Sequence, residues 1–231
     1  MQASDTPAAA PNTTILQVPH GAGLAWLAAG WACFRRRWQP LVVLSAGALI
    51  LVWLLGTRGG ILYPMVATIY LGTVAAYCRM DREGEAFLAG SGAWRNPSLW
   101  LLALILAAVS MVQVMIVGAI ATGAAMQGLY SATHFGKGMF YAFAFAQLLV
   151  MLVFSTIWMA PALVVERRVK VGRALVLSVA ASLRNPLPFL TVVVLGALMT
   201  LVAMLPLGLG LIVAMPVLAA AAARAADDTV A

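Results

Sequence analysis

From Asn185 to Ala223 the chain runs 39 residues without a charged side chain, between Arg184 and Arg224. No soluble fold of ordinary composition tolerates such a run. A helix needs about 20 apolar residues to cross roughly 30 Å of hydrocarbon, so this stretch is read as two crossings with a turn between them. Pro206-Leu207-Gly208-Leu209-Gly210 supplies the turn, because Pro and Gly interrupt helices. The same reading applies elsewhere. Residues 38–57, 59–78, 96–136 and 138–165 are also uncharged or bounded by single charges. Six spans are expected, near 39–56, 61–79, 98–122, 139–163, 187–205 and 208–224. The stretch 119–138 leaves the outer end of the third span open.

Composition agrees. Of 231 residues, 64% are hydrophobic and 9% charged, and mean hydropathy is +0.99. A soluble domain carries about 25% charged residues. Here lipid covers the surface that polar side chains would otherwise cover. The expected fold class is all-α: a polytopic bundle of six transmembrane helices in three hairpin units, with short interfacial helices on the cytoplasmic side. Residues 1–20, rich in Ala, Pro and Thr and without Lys or Arg, are expected to be a disordered cytoplasmic tail rather than a signal peptide. Residues 21–224 form one membrane domain, and 225–231 a short cytoplasmic tail.

Charge sets the orientation. With the N-terminus inside, the cytoplasmic segments hold Arg35, Arg36, Arg37, Arg79, Arg82, Arg95, Arg167, Arg168, Lys170, Arg173, Arg184 and Arg224, which is 12 of the 14 basic residues. Arg58 and Lys137 fall outside. This asymmetry follows the positive-inside rule. Trp26, Trp31, Trp38, Trp94 and Trp100 lie near the same expected interface, where indole is favoured. The net charge of +7 is therefore assigned to anionic lipid headgroups and not to nucleic acid.

Three cytoplasmic segments resemble one another: 24–44, 86–104 and 174–194. Each is a short apolar or amphipathic stretch, then Arg, then Pro, then a span. Arg95-Asn96-Pro97 recurs as Arg184-Asn185-Pro186, and Arg37-Trp38-Gln39-Pro40 is a looser version. Proline disfavours helix just before it and is tolerated in a first turn, so it separates a surface helix from the span that follows. Arg35, Arg36, Arg37, Arg95 and Arg184 are the expected lipid-headgroup contacts, since arginine at this level reaches phosphate. In the first segment Leu24, Leu27, Trp31, Phe34 and Trp38 recur every three or four residues and define one helical face. That face suits an interfacial helix with its apolar side in the acyl region; the alternative is that 22–37 extends the first span.

Chemistry-bearing residues are sparse. Within the expected spans the notable polar side chains are Gln113 and Gln147, which fall at similar depth. They are expected to hydrogen-bond to each other or to backbone, with a polar pore lining as the alternative. Asp81, Glu83 and Glu85 alternate in a charged loop and read as solvated. His134 lies in an outer loop and His20 in the tail, neither with partners. Cys33 and Cys78, near the cytoplasmic face, are read as reduced, small apolar residues at helix surfaces. No cofactor and no metal site are expected, and no catalytic residue is assigned.

Gly30-Trp31-x-x-Phe34-Arg35-Arg36, Leu183-Arg184-Asn185-Pro186-Leu187-Pro188-Phe189-Leu190, Ala160-Pro161-Ala162-Leu163-Val164 and Leu205-Pro206-Leu207-Gly208-Leu209-Gly210 resemble a family of uncharacterised proteobacterial inner-membrane proteins. That family is YciC-like and similar to the membrane domain of some glycerophosphodiester phosphodiesterases. The resemblance covers about 20–224. It implies a six-helix bundle in the bacterial cytoplasmic membrane and transfers no catalytic residue; the phosphodiesterases keep their chemistry in a separate soluble barrel. The expected function is a non-enzymatic scaffold or accessory subunit that binds other membrane components, lipids and a membrane-protein partner. A transporter or lipid-handling protein is the alternative, and a membrane-embedded enzyme ranks last.

Overall fold

The computed structural model describes residues 14–55, 62–83, 93–128 and 155–231. These form eight helices and no strand. They are α1 (Ala22–Arg36), α2 (Trp38–Leu55), α3 (Leu62–Glu83), α4 (Pro97–Gly128), α5 (Ala160–Glu166), α6 (Val171–Arg184), α7 (Pro186–Met204) and α8 (Leu211–Thr229).

The helix boundaries follow local chemistry. α1 ends where Arg37 leaves helical geometry at φ −128° and ψ 41°. Arg35 and Arg36 occupy its last turn, where the helix dipole favours positive charge. α2 restarts at Trp38 with Pro40 in its first turn, where the missing N–H costs nothing. α6 ends in the same way at Asn185, and α7 begins on Pro186. The first and third segments are thus separate helices ahead of their spans, as the Arg-to-Pro spacing predicts. Of the second, residues 86–92 lie outside the described residues, and a single 3-10 turn at 93–95 precedes Pro97. The Pro-Gly turn joins α7 to α8 over 205–210. Leu207 and Gly208 there have φ of 54° and 81°, and Gly210 lies against the backbone of Ala203 so closely that a Cβ would fall 2.6 Å from the Ala203 Cα.

Among the described residues, three helices are long and apolar enough to cross a membrane: Trp38–Leu55, Pro97–Ile116 within α4, and Pro186–Met204. The expected spans at 61–79 and 208–224 are helices α3 and α8, yet neither belongs to that set. The ends of α3 and α8 carry Arg79, Asp81, Arg82 and Glu83, and Arg224, Asp227 and Asp228. Six spans and three hairpins are therefore finer than the structure itself supports. The expected fourth span, 139–163, lies mostly outside the described residues. Its end is interrupted at 157–159 before α5 starts with Pro161 near its N-terminus. α4 continues to Gly128, beyond the 122 expected.

The alanine-rich half of α8 is the axis of the packing. Ala219, Ala220, Ala221, Ala222, Ala223, Ala225 and Ala226 are all buried. Ala219 and Ala220 join a core with Cys33, Phe34, Leu41, Tyr70 and Val74. Ala221, Ala223, Ala225 and Ala226 join a second core with Trp26, Leu99, Leu102, Met159 and Leu163. Methyl groups on every side let α1, α2, α3 and α5 approach one central helix, the usual role of small residues where lipid gives no hydrophobic drive for association.

Both ends of the described chain close against this core. Thr14 N–H donates to the Ala231 carbonyl at 3.1 Å, Ala231 N–H to Thr14 at 3.0 Å and Leu16 N–H to Thr229 at 2.8 Å, around an isolated antiparallel bridge between Ile15 and Val230. Residues 14–18, from the stretch expected to be disordered, are thus held in place. Most of 225–231, expected as a tail, is the end of α8.

Candidate functional site: the joints and cavities beside the spans

The five arginines expected at lipid headgroups are all exposed. Arg35, Arg36 and Arg37 surround the break between α1 and α2, Arg95 precedes α4, and Arg184 ends α6. The Arg95 guanidinium lies 5.8 Å from the Trp94 ring centroid, within cation–π range.

In both Arg-Asn-Pro sequences the arginine points outward and the asparagine ties the joint. Asn185 is 4% exposed. Its Oδ1 accepts from Val18 N–H at 2.9 Å. Its Nδ2 donates to Leu16 at 3.0 Å and to Ala181 at 3.1 Å. It thereby joins the N-terminal segment to the α6–α7 break. Asn96 caps α4, accepting from Ser98 N–H at 3.0 Å, and its Nδ2 donates to the Val164 carbonyl of α5 at 3.5 Å. The Arg-Asn-Pro tripeptide marks the break through its proline, but carries no signal of what its asparagine holds.

The first helix departs from expectation on its other face. Leu24, Trp31 and Trp38 are exposed as predicted. Phe34 is buried and stacks on Trp31 at 5.7 Å. Gly23, Trp26, Gly30 and Cys33, on the opposite side, form the buried face together with Phe34. A Cβ on Gly30 would run into the Val217 carbonyl, and one on Gly23 into that of Pro188. Trp26, read as an interface marker, is 1% exposed, and its Nε1 donates to Asp228 Oδ2 at 3.0 Å. Asp228 also pairs with Arg224 at 3.0 Å.

The two cysteines require a correction. Cys33 of α1 and Cys78 of α3 are not separate apolar side chains; they are bonded to each other as a disulfide, with Cα atoms 6.2 Å apart. That separation lies within the normal range for such a bond. Two cysteines 45 residues apart give no sequence signal of pairing.

Gln113 is half-buried on α4. Gln147 lies outside the described residues, and so do His134 and Glu85. Among the described residues, a polar side-chain contact joins α2 to α3: the hydroxyls of Ser45 and Tyr70 are 2.7 Å apart. Ser45 also reaches the Leu41 carbonyl at 2.7 Å. At the 157–159 interruption the Thr156 carbonyl accepts from Ser178 at 2.8 Å and Ser182 at 3.3 Å. Two hydroxyls of α6 thus satisfy a backbone group that the broken helix frees. The His/Cys/Asp/Glu groupings needed for a metal are absent among the described residues.

Cavities open between helices among the described residues. One of about 600 Å³ lies at the α1–α2 break. One of about 370 Å³ is bordered by Cys33, Cys78, Arg36, Arg224 and Asp228. The third, about 380 Å³, is an almost wholly apolar groove along α7 from Val192 to Met204, walled by Trp158 and Leu218. The Trp158 ring meets Phe189 edge-on at 6.1 Å, and its buried Nε1 has no acceptor among the described residues.

Comparison with protein-family models, with curated proteins and with solved structures finds no match to this chain.

Proposed function

We propose that the chain is a non-enzymatic, multi-pass protein of the bacterial cytoplasmic membrane, acting as a scaffold or accessory subunit that binds another membrane protein through its helices. In this reading α3, α8 and the segment ending at α5 also cross, giving six spans in three hairpins. The termini are cytoplasmic, and the arginine-bearing joints repeat along the inner face. The likeness to YciC-type inner-membrane proteins belongs to the same proposal.

One observation carries it. α2 buries only Leu41 and Ser45, whereas Val43, Gly47, Ile50 and Leu54 are exposed. Those four lie on one helical face at spacings of 4, 3 and 4. Gly47 sits in its middle, with no atom within 4 Å of where a Cβ would stand. Membrane helices associate where a small residue lets backbones approach. The test is Gly47→Leu, which fills open space and leaves this chain's own packing untouched. The full chain is purified in native lipid discs and its co-purifying proteins are identified. A partner present with wild type and lost with Gly47→Leu, at unchanged thermal stability, supports the scaffold. A monomeric particle without any co-purifying membrane protein overturns it.

The second reading, a lipid-handling protein, is favoured by the α7 groove. From Val192 to Met204 it spans 12 residues, about 18 Å of helix, which is close to one leaflet of a ~30 Å core. Lipid exchange between donor and acceptor vesicles, accelerated by wild type and abolished by Gly196→Leu, separates it from the scaffold.

A further inference from the structure

We infer that the Cys33–Cys78 bond is a redox latch: a thiol–disulfide exchange site for a small thiol, whose reduction frees the end of α1 and the start of α2. The inference rests on the proposed topology for one point, that this face of the bundle meets the cytoplasm.

Position comes first. Cys33 stands two residues before Arg35, and Cys78 immediately before Arg79. The bond therefore lies at the level of the arginines that mark the inner face. Structural disulfides persist in oxidising compartments; in a reducing one a disulfide is transient and serves exchange or sensing. Access comes second. The two side chains, 5% and 7% exposed, both border the cavity of about 370 Å³ between α1, α3 and α8.

The third point is what the bond holds. It links α1 to α3, which otherwise approach each other little; each packs instead on α8. The front of α1 is fastened independently, by Gly23 against Pro188, by Gly30 against Val217 and by Trp26 on Asp228. α2 lies inside the loop that the bond closes and buries only Leu41 and Ser45. Opening the bond thus leaves α1 seated and releases the joint from Cys33 to Leu41.

The reductant is a low-molecular-weight thiol. Its thiolate attacks one cysteine sulfur, the protein S–S bond breaks, and the other cysteine leaves as a thiolate that takes up a proton. A second thiolate attacks the small-molecule sulfur of the mixed disulfide. The first cysteine then leaves and is protonated. Two electrons pass to the protein pair, and two small thiols depart as one disulfide.

The full chain in lipid discs is equilibrated with glutathione and glutathione disulfide at a series of ratios, quenched in acid and counted with maleimide. Both thiols are expected to appear together at the ratio of a reducing cytoplasm, and added glutathione disulfide to close the bond again. A bond that stays closed there and opens only in dithiothreitol is a structural staple and overturns the latch. Amide exchange is read on the same samples. Reduction is expected to speed exchange at residues 33–41 by about tenfold, with 22–30 and the alanines of α8 unchanged, and re-oxidation to reverse it. Unchanged exchange, or loosening of the whole chain, would also overturn the latch. Cys78→Ser should exchange like reduced wild type in either buffer; wild type is cycled in one sample, so a misfolded variant leaves the test standing. A membrane-impermeant phosphine added to spheroplasts oxidised with diamide should leave the bond closed. Opening there would overturn the proposed topology, whereas the glutathione and exchange results report the latch in isolated protein, so the two failures are distinguishable.

Discussion

The indole nitrogen of Trp26 donates to the carboxylate of Asp228 at 3.0 Å, across 202 residues of sequence. The bond closes the two ends of the described chain onto each other, since α1 starts just before Trp26 and α8 ends just after Asp228. Asp228 is held in turn by Arg224 one helical turn back. Trp26→Phe keeps the ring in the core and removes the donor. It is expected to lower stability by about 1–2 kcal/mol, the range for a hydrogen bond to a charged group at a partly open site. Chemical denaturation in detergent micelles measures this. A double-mutant cycle with Asp228→Ala should return a coupling of the same sign.

Gly30 and Gly47 predict opposite outcomes for the same substitution. A Cβ at Gly30 meets the Val217 carbonyl, a backbone atom that cannot move aside cheaply. Gly30→Ala therefore forces α1 off α8 and should cost about 1–3 kcal/mol. Gly47→Ala meets nothing and should be neutral or stabilising by up to about 1 kcal/mol through helix propensity. Thermal unfolding of both variants in one detergent decides the comparison.

Asn185 fastens the N-terminal segment to the break between α6 and α7 by three hydrogen bonds. Asn185→Ala leaves the Val18 N–H and the Leu16 carbonyl without this partner, at about 1–3 kcal/mol for a buried group left unsatisfied. Faster amide exchange at residues 16–18, with α4 unaffected, is the expected signature. Uniform loosening of the whole chain would argue against a local tie.

The Cys33–Cys78 bond predicts a count. Protein purified without reductant and denatured should react with no maleimide, and after reduction with two equivalents. Cys33→Ser should leave one reactive thiol at Cys78. Two reactive thiols before reduction would return both residues to the plain apolar role.

Several features were legible in the sequence for reasons specific to the residues concerned. Arg184 to Pro186 marked a helix break, because proline restricts the residue before it; at Arg37 the break falls three residues ahead of Pro40, whose ring and missing N–H exclude a continuous helix through residue 36. Pro206 to Gly210 marked a turn, because a positive φ at residue 208 is cheapest for glycine. Other features were not legible. Trp26 and Trp31 are the same residue type five positions apart, yet one is core and one is exposed. Gly30 packs and Gly47 does not. Asn185 and Asn96 stand in identical tripeptides, and only their neighbours in space reveal what each holds.

The sequence by itself determined that this is an all-helical chain with apolar helices of membrane-spanning length, and where several of them break. Chain length against bilayer thickness, and the backbone limits of proline and glycine, are local and suffice for that. Only the tertiary structure decided which faces meet: the alanines of α8 at the centre, α1 on its glycine face, Cys33 against Cys78, and a cavity at the Arg37 joint. In water a buried face announces itself by being apolar. Beside lipid the outer face is apolar as well, so hydrophobicity no longer separates inside from outside. Close approach of small residues, and the pairing of the few polar ones, makes the choice instead.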